Sequence, residues 1–330
     1  MPADLSQKTA TVMYFNNCWF TNVGEAFIDL GSHVLIKQIF GSPVRMVFAT
    51  DMTEWYIEKN KNIKSIKGLY VKQFFPGWFK NKYSCKAMDL FSLYDTEYLI
   101  LSGMFACEAF LKTSASNAVM ELAKQGMKVI FLGLGGLHYD RKEVEIFTKY
   151  LKQVKPYLIM TRDEETFHSY KDNFNCINGL DCGFWVTDAV GNLKGMAKKD
   201  YDIVTFNRSK EPAGYKDANW DTTIIRPDHF QYDFHLGKMR NHLMISDSPY
   251  DYISLYANAR KVYTDLVHAT VIALQFGIPV EFYPVDKRAF LFKNLSHLEK
   301  NGRELKISNI FLQKQKEKLV KEIQAVIQNG

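Results

Sequence analysis

A chain of 330 residues exceeds one ordinary hydrophobic core and is read as two domains. Its 47% hydrophobic and 24% charged residues exclude a disordered chain and describe a soluble globular one. The net charge of +6 comes from Lys and Arg interleaved with Asp and Glu, which argues against a nucleic-acid-binding stripe and suits an anionic small substrate or an anionic membrane face.

Thr9 to Phe15 reads as a buried strand, and Glu25 to Phe40 carries apolar residues at helical spacing. Val44 to Ala49 is a second strand, and Glu58 to Lys67 a polar excursion. Tyr98 to Leu101 is a strand ending in Ser102-Gly103. Thr113 to Lys124 is a helix stopped by Gly126. Lys128 to Leu132 is a strand that runs into Gly133-Leu134-Gly135-Gly136. Helix Arg141 to Val154, strand Tyr157 to Met160, a short helix opened by Asp163 and strand Phe174 to Ile177 follow. This alternation predicts mostly parallel sheets with helices on both faces. Asp188 to Asp200, polar and containing Gly and Lys, is placed as the domain linker. The pattern then restarts with strands Ile203 to Phe206, Thr222 to Ile225 and Leu243 to Ile245, and a helix opened by Ser248-Pro249. Lys261 to Tyr263, an apolar helix with His268 in its first turn, Gly277 as its stop and Ile278 to Tyr283 form a strand–helix–strand unit. Ser308 to Gln328 is a Lys/Glu-rich amphipathic helix. The expected architecture is α/β, two Rossmann-like lobes facing each other across a cleft, with ligands outside the carboxyl ends of the strands. The assigned bounds are 1–190, 191–307 and a terminal helix at 308–330.

Five cysteines with no CxxC pair speak against a disulfide framework or a zinc knuckle, and no cluster with metal-ligand spacing occurs. The N-terminus lacks an apolar signal core, and no run is long enough to cross a bilayer. A cytoplasmic protein is expected, with peripheral contact at the inner face of the membrane left open.

His268 is the sharpest site candidate. Thr264 and Asp265 are residue types that cap helices, and a helix N-terminus seats anions through its unpaired N–H groups. The same terminus disfavours the imidazolium and would bring His268 into a range suited to proton transfer. The plainer reading is a half-buried helix residue. Asn207 and Arg208 follow a strand of the second domain, where a guanidinium can grip phosphate or carboxylate, or simply be solvated. Arg162 could line the cleft, and Asp163 is read chiefly as a helix cap. Gly133 to Gly136 resembles a phosphate loop but lacks its Lys-Ser/Thr, so tight turning is the better account. Asn22, Gly24 and Glu25 follow the first strand. Glu25 is either a general base or a favourable acid in a first turn. Tyr70 to Tyr83 interleaves aromatics with lysines, which suits sugar stacking, a membrane interface or a hydrophobic cluster under a loop.

These residues together resemble the polysaccharide pyruvyl transferase family over most of the chain. The resemblance is carried by Asn22-Val23-Gly24-Glu25, Met160-Thr161-Arg162-Asp163, Asp181-Cys182-Gly183, and above all His268-Ala269, Ala273, Gly277-Ile278-Pro279, Tyr283 and Lys287. It implies a GT-B-like enzyme that moves pyruvate from phosphoenolpyruvate onto two hydroxyls of a sugar as a ketal. The acceptor would be a sugar or lipid-linked oligosaccharide of a surface polymer. The first lobe would face that acceptor and the second the donor. Phosphoenolpyruvate is then the donor substrate, and no cofactor or metal is called for. The implied roles are His268 and Glu25 in proton transfer. Arg208, Asn207, Asn22, Gly24, Arg162, Thr264, Asp265 and Lys287 would bind substrate. The chain departs from the family at Leu266, where an arginine is usual, and at Thr264, where a serine is usual. Glu25 stands where an aspartate is usual. Either Arg208, Lys287 or Arg288 supplies the missing cation, or the donor differs. The alternatives are a GT-B-like glycosyltransferase with a nucleotide-sugar donor and a catalytically lapsed glycan-binding member.

Overall fold

The computed structural model describes residues 9–15, 22–41, 43–49, 94–212, 223–229, 243–246 and 248–329. The expected excursion at 58–67 and the aromatic-lysine segment at 70–83 lie outside them.

The first sheet comprises β1 (Thr11–Phe15), β2 (Arg45–Ala49), β3 (Tyr98–Ser102), β4 (Lys128–Leu134), β5 (Leu158–Thr161) and β6 (Cys176–Asn178). Their order is β2-β1-β3-β4-β5-β6, and every pairing is parallel. Residues 98–102 are all buried, as a continuous apolar run demands when helices cover both faces. On one face lie α2 (Glu108–Leu111), α3 (Ser114–Lys124) and α4 (Arg141–Val154), which share a core with Phe131, Ile159 and Tyr170. On the other lies α1 (Val23–Phe40), whose N-cap Asn22 accepts the Gly24 N–H. After β5 comes α5 (Glu164–Tyr170), capped by Asp163, whose carboxylate takes the Thr166 N–H as the cap reading expected.

A 3₁₀ turn at Cys182–Trp185 and a short helix, α6 (Val186–Val190), lead out of the first lobe. The second sheet contains β7 (Tyr201–Thr205), β8 (Thr223–Pro227), β9 (Leu243–Met244), β10 (Lys261–Thr264), β11 (Val280–Phe282), β12 (Leu298–Asn301) and β13 (Glu304–Ile307), in the order β12-β13-β11-β10-β7-β8-β9. It is parallel except for β11–β13 and the hairpin β12–β13. That hairpin carries polar, exposed residues such as Glu299 and Lys300, so apolar periodicity did not reveal it. Its helices are α7 (Pro249–Ala257), with Pro at its start, and α8 (Val267–Gln275), followed by Gly277 at a φ of 66°. A 3₁₀ segment, Lys287–Asn294, precedes the hairpin.

The lobes are held by a shared core. Phe184, Trp185, α1, α7 and α8 belong to one apolar cluster that runs from the first sheet into the second. The Gln275 side chain donates to Gly183 O at 2.6 Å and accepts the Thr187 N–H, tying the end of α8 to the lobe connection. The final helix, α9 (Asn309–Asn329), turns back onto the first lobe, where Gln324 donates to Gln38 O and Val326 O accepts the Tyr157 hydroxyl. Its apolar residues Leu312, Leu319 and Ile323 are buried in the shared core, so this amphipathic face packs on the protein itself.

Candidate active site between the lobes

The carboxyl ends of strands from both sheets converge on one cleft, lined by Asn22, Phe105, Arg162, Arg208, His229, Leu266, Val267, His268, Arg288 and Leu291. The chain order explains the convergence. Arg162 follows β5, Arg208 follows β7, His229 follows β8, His268 stands just beyond β10, and Arg288 stands just beyond β11. The strand order of the second sheet reverses between β7 and β10, the crevice where open α/β sheets bind ligands.

His268 occupies the first turn of α8, half-buried, with its ring laid against the first turn of α1. A Cβ built on Gly24 would fall 1.9 Å from His268 Nδ1, so only glycine allows this approach of helix to imidazole. The imidazole pKa is lowered to about 4. Burial is the largest cause; Arg162, Arg288 and Arg208 push the same way, and Asp181 opposes them. The shift runs in the expected direction, desolvation and the facing guanidiniums lower the pKa, and the ring is neutral at physiological pH.

Among the described residues, three guanidinium groups line this cleft. Arg162 is 3% exposed, pairs with Asp181 at 3.1 Å and lies over the Phe105 ring. Its Nη2 is buried without a partner, a charged donor with unspent hydrogen-bonding capacity. A Cβ on Gly135 would come within 2.3 Å of Arg162 Nε, so this glycine of the run makes room for a guanidinium rather than cradling a phosphate. Arg208 and Arg288 share Asp286, at 3.4 Å for Arg208 Nη1 and 2.9 Å for Arg288 Nε. Partial burial opposes ionisation of Asp286, but bonding and charge from Arg288, then the charge of Arg208, hold its carboxyl below the usual range. The N-terminal amides of α8 have no side-chain cap, which leaves them to face an anion.

The other sequence candidates separate. Asn22 lines the cleft as the cap of α1. Gly24 serves it by admitting His268. Thr264 and Asp265 are fully buried and do not line it, because both are consumed by their own loops. Thr264 Oγ1 accepts the Leu266 N–H. The Asp265 carboxylate accepts from the backbone N–H groups of Asn207, Arg208 and Ser209 at 3.2, 3.0 and 2.6 Å. Asn207 is spent on Asp228 and Thr205. Glu25 sits in the first turn of α1, where its charge suits the helix terminus, and is not among the lining residues. Lys287 is exposed and donates to His138 O across the lobes, outside the cleft. It belongs to a bridge in which Phe290 meets Tyr139, Lys293 pairs with Glu165 at 2.6 Å and Asn294 donates to Gly179 O, and this bridge carries Arg288 into place.

His229 and Phe105 were missed by sequence reasoning. His229 follows an extended run as Arg208 does after β7, a strand-end placement that could have signalled it. Phe105 has no such signal, because its position depends on the bridge to Gly135 of the neighbouring strand end. Leu266, where the family's arginine is usual, is 4% exposed and gives the cleft an apolar wall. Among the described residues no group of three or more His, Cys, Asp or Glu side chains could hold a metal ion, and no helix is long and apolar enough to cross a membrane.

No curated protein matches the chain. Among solved structures, the S. aureus MnaA–UDP structure aligns with a TM-score of 0.53 at 10% identity, covering 96% of this chain and 90% of that one. The UDP-GlcNAc 2-epimerase of Methanocaldococcus jannaschii aligns with a TM-score of 0.50 at 12% identity, covering 96% and 100%. These likenesses establish the fold, two Rossmann-like lobes in a GT-B-like arrangement. A family model for polysaccharide pyruvyl transferase matches residues 52–283, well over half of the sequence, and the chain belongs to that family of transferases.

Proposed function

We propose that the protein transfers pyruvate from phosphoenolpyruvate to two hydroxyls of a sugar in a polysaccharide or its precursor. The observation that carries this reading is the meeting of Arg162, Arg208 and Arg288 with a neutral His268 at one inter-lobe cleft. The donor brings a carboxylate and a phosphate, and bidentate guanidiniums suit both. Leu266 does not leave the cleft without cations, because these three arginines supply them from neighbouring strand ends.

The chemistry balances on two sugar protons. One hydroxyl proton reaches the methylene carbon of the donor, which becomes methyl and leaves the central carbon electrophilic. The first sugar oxygen bonds there, the C–O bond to phosphate breaks, the second oxygen closes the ketal, and its proton leaves with phosphate. His268 enters neutral and so acts first as the base toward a hydroxyl. Bound next to a multiply charged anion, its imidazolium is favoured and can pass the proton on. The three guanidiniums neutralise the departing phosphate.

Incubation with phosphoenolpyruvate and a panel of galactose- and mannose-type acceptors should release inorganic phosphate and add a pyruvyl mass to one sugar. The fold also fits a nucleotide-sugar enzyme, so thermal shift with UDP beside phosphoenolpyruvate separates the two. Stabilisation by UDP alone, without phosphate release, would defeat the pyruvyl transfer reading.

A further inference from the structure

His229 is 1% exposed, borders the cleft together with Asn22 and His268, and has no part in the chemistry above. Its ring sits among Phe27, Tyr252 and Tyr256 with centroids 6.0, 5.6 and 5.8 Å away. Its carbonyl accepts the Val23 N–H of the first lobe at 3.1 Å, which fixes the residue beside the start of α1. Its Nε2 lies 2.8 Å from the Tyr256 hydroxyl. That hydroxyl is fully buried, and His229 is its one hydrogen-bond partner among the described residues. Had Nε2 carried the proton, the tyrosine O–H would be buried without an acceptor, a cost of about 1–3 kcal/mol. Tyr256 therefore donates, Nε2 accepts, and the ring proton resides on Nδ1. Burial, with His268 adding to it, lowers the imidazole pKa to about 3, so the ring stays neutral.

We infer that His229 is an acceptor-positioning residue: Tyr256 holds it in the Nδ1–H tautomer, and it offers an uncharged N–H to a hydroxyl oxygen of the sugar. The division of labour follows from charge. Anionic oxygens have three guanidiniums to choose from, while a neutral N–H donor beside the proposed base suits a neutral oxygen whose own proton is about to leave. This role rests on the cleft being the transfer site proposed above.

Two measurements decide it. In protein carrying ¹⁵N-histidine, long-range ¹H–¹⁵N spectra should show His229 as Nδ1–H with Nε2 unprotonated; the opposite tautomer overturns the inference. In the phosphate-release assay, His229→Phe should raise the acceptor KM about three- to tenfold and leave the donor KM unchanged. His229→Asn, which restores an N–H near the Nδ1 position, should recover most of that loss. An unchanged acceptor KM, or donor and acceptor KM rising together, overturns it. Should the wild type release no phosphate from phosphoenolpyruvate, the transferase reading alone fails. Titration of the His229 signal with methyl galactosides and mannosides then decides the role: a shift supports it, and no shift under saturating sugar ends it.

Discussion

At the scale of single residues, the cleft depends on two close approaches. Gly24 admits the His268 ring, and Gly135 admits the Arg162 guanidinium. Gly24→Ala must push the imidazole aside, and a displacement near 1 Å at a reacting group costs about 10²-fold. We expect kcat to fall by that order while circular dichroism and the donor Kd stay near wild type; an unimpaired Gly24→Ala enzyme would detach His268 from the chemistry. Titration of His268 gives a second check. Its pKa of about 4 in the free protein places the imidazole in its basic form throughout the neutral range. The acid limb of kcat/KM should therefore fall near pH 4, once donor phosphate ionisation is subtracted, and not near 6.5. His268→Ala should remove that limb and about 10²–10⁴ of the rate.

At the scale of elements, the loop after β7 and the 3₁₀ segment after β11 decide where cations stand. Asp265 receives three consecutive backbone N–H groups and the Ser209 hydroxyl, so a buried carboxylate at the end of β10 shapes the loop bearing Arg208. Asp265→Asn turns an amide N–H₂ toward donors that need an acceptor. A stability loss of about 1–3 kcal/mol is expected, with donor KM raised about tenfold and kcat changed less. Chemical denaturation and steady-state kinetics on the same sample would test both, and unchanged donor KM would show that the loop does not serve the donor.

At the scale of the whole molecule, three histidines among the described residues, His229 buried and His33 and His268 partly so, are held in neutral form. His33 packs against Tyr14 and Phe48 with its Nε2 unpartnered, and burial, then Lys37, lowers its pKa to about 4. His229 and His268 stand at about 3 and about 4. In the unfolded chain each titrates near 6.5. Between those values the unfolded state binds more protons, so stability rises with pH and drains away as pH falls from 6.5 toward 4. Three groups give a slope of up to about 4 kcal/mol per pH unit inside the window. Tm should be level near pH 7 and drop steeply below 6, less steeply after His33→Asn. A Tm unchanged from pH 7 to 5 would contradict this burial. Trp185, buried in the core common to both lobes, adds a mechanical test: Trp185→Ala should cost about 3–5 kcal/mol and destabilise both lobes together.

Much of this protein was legible as a string of residues. Apolar periodicity, Asp163 as a cap, Pro249 at a helix start and Gly277 at a helix stop are local properties, and they set the alternating elements, the two-lobed class and the strand ends that bear Arg162, Arg208 and His268. Local pattern could not say which of those strand ends meet. Thr264, Asp265 and Asn207 carry suitable chemistry, yet hydrogen bonds from neighbouring loops exhaust them. His229, Phe105 and Arg288 gain their places because strand order, 3₁₀ turns and the packing of α1 against α8 bring distant positions within a few ångströms. A side chain's type is inherited from sequence; its desolvation, its partners and the direction of its pKa shift arise only from what the folded chain sets beside it.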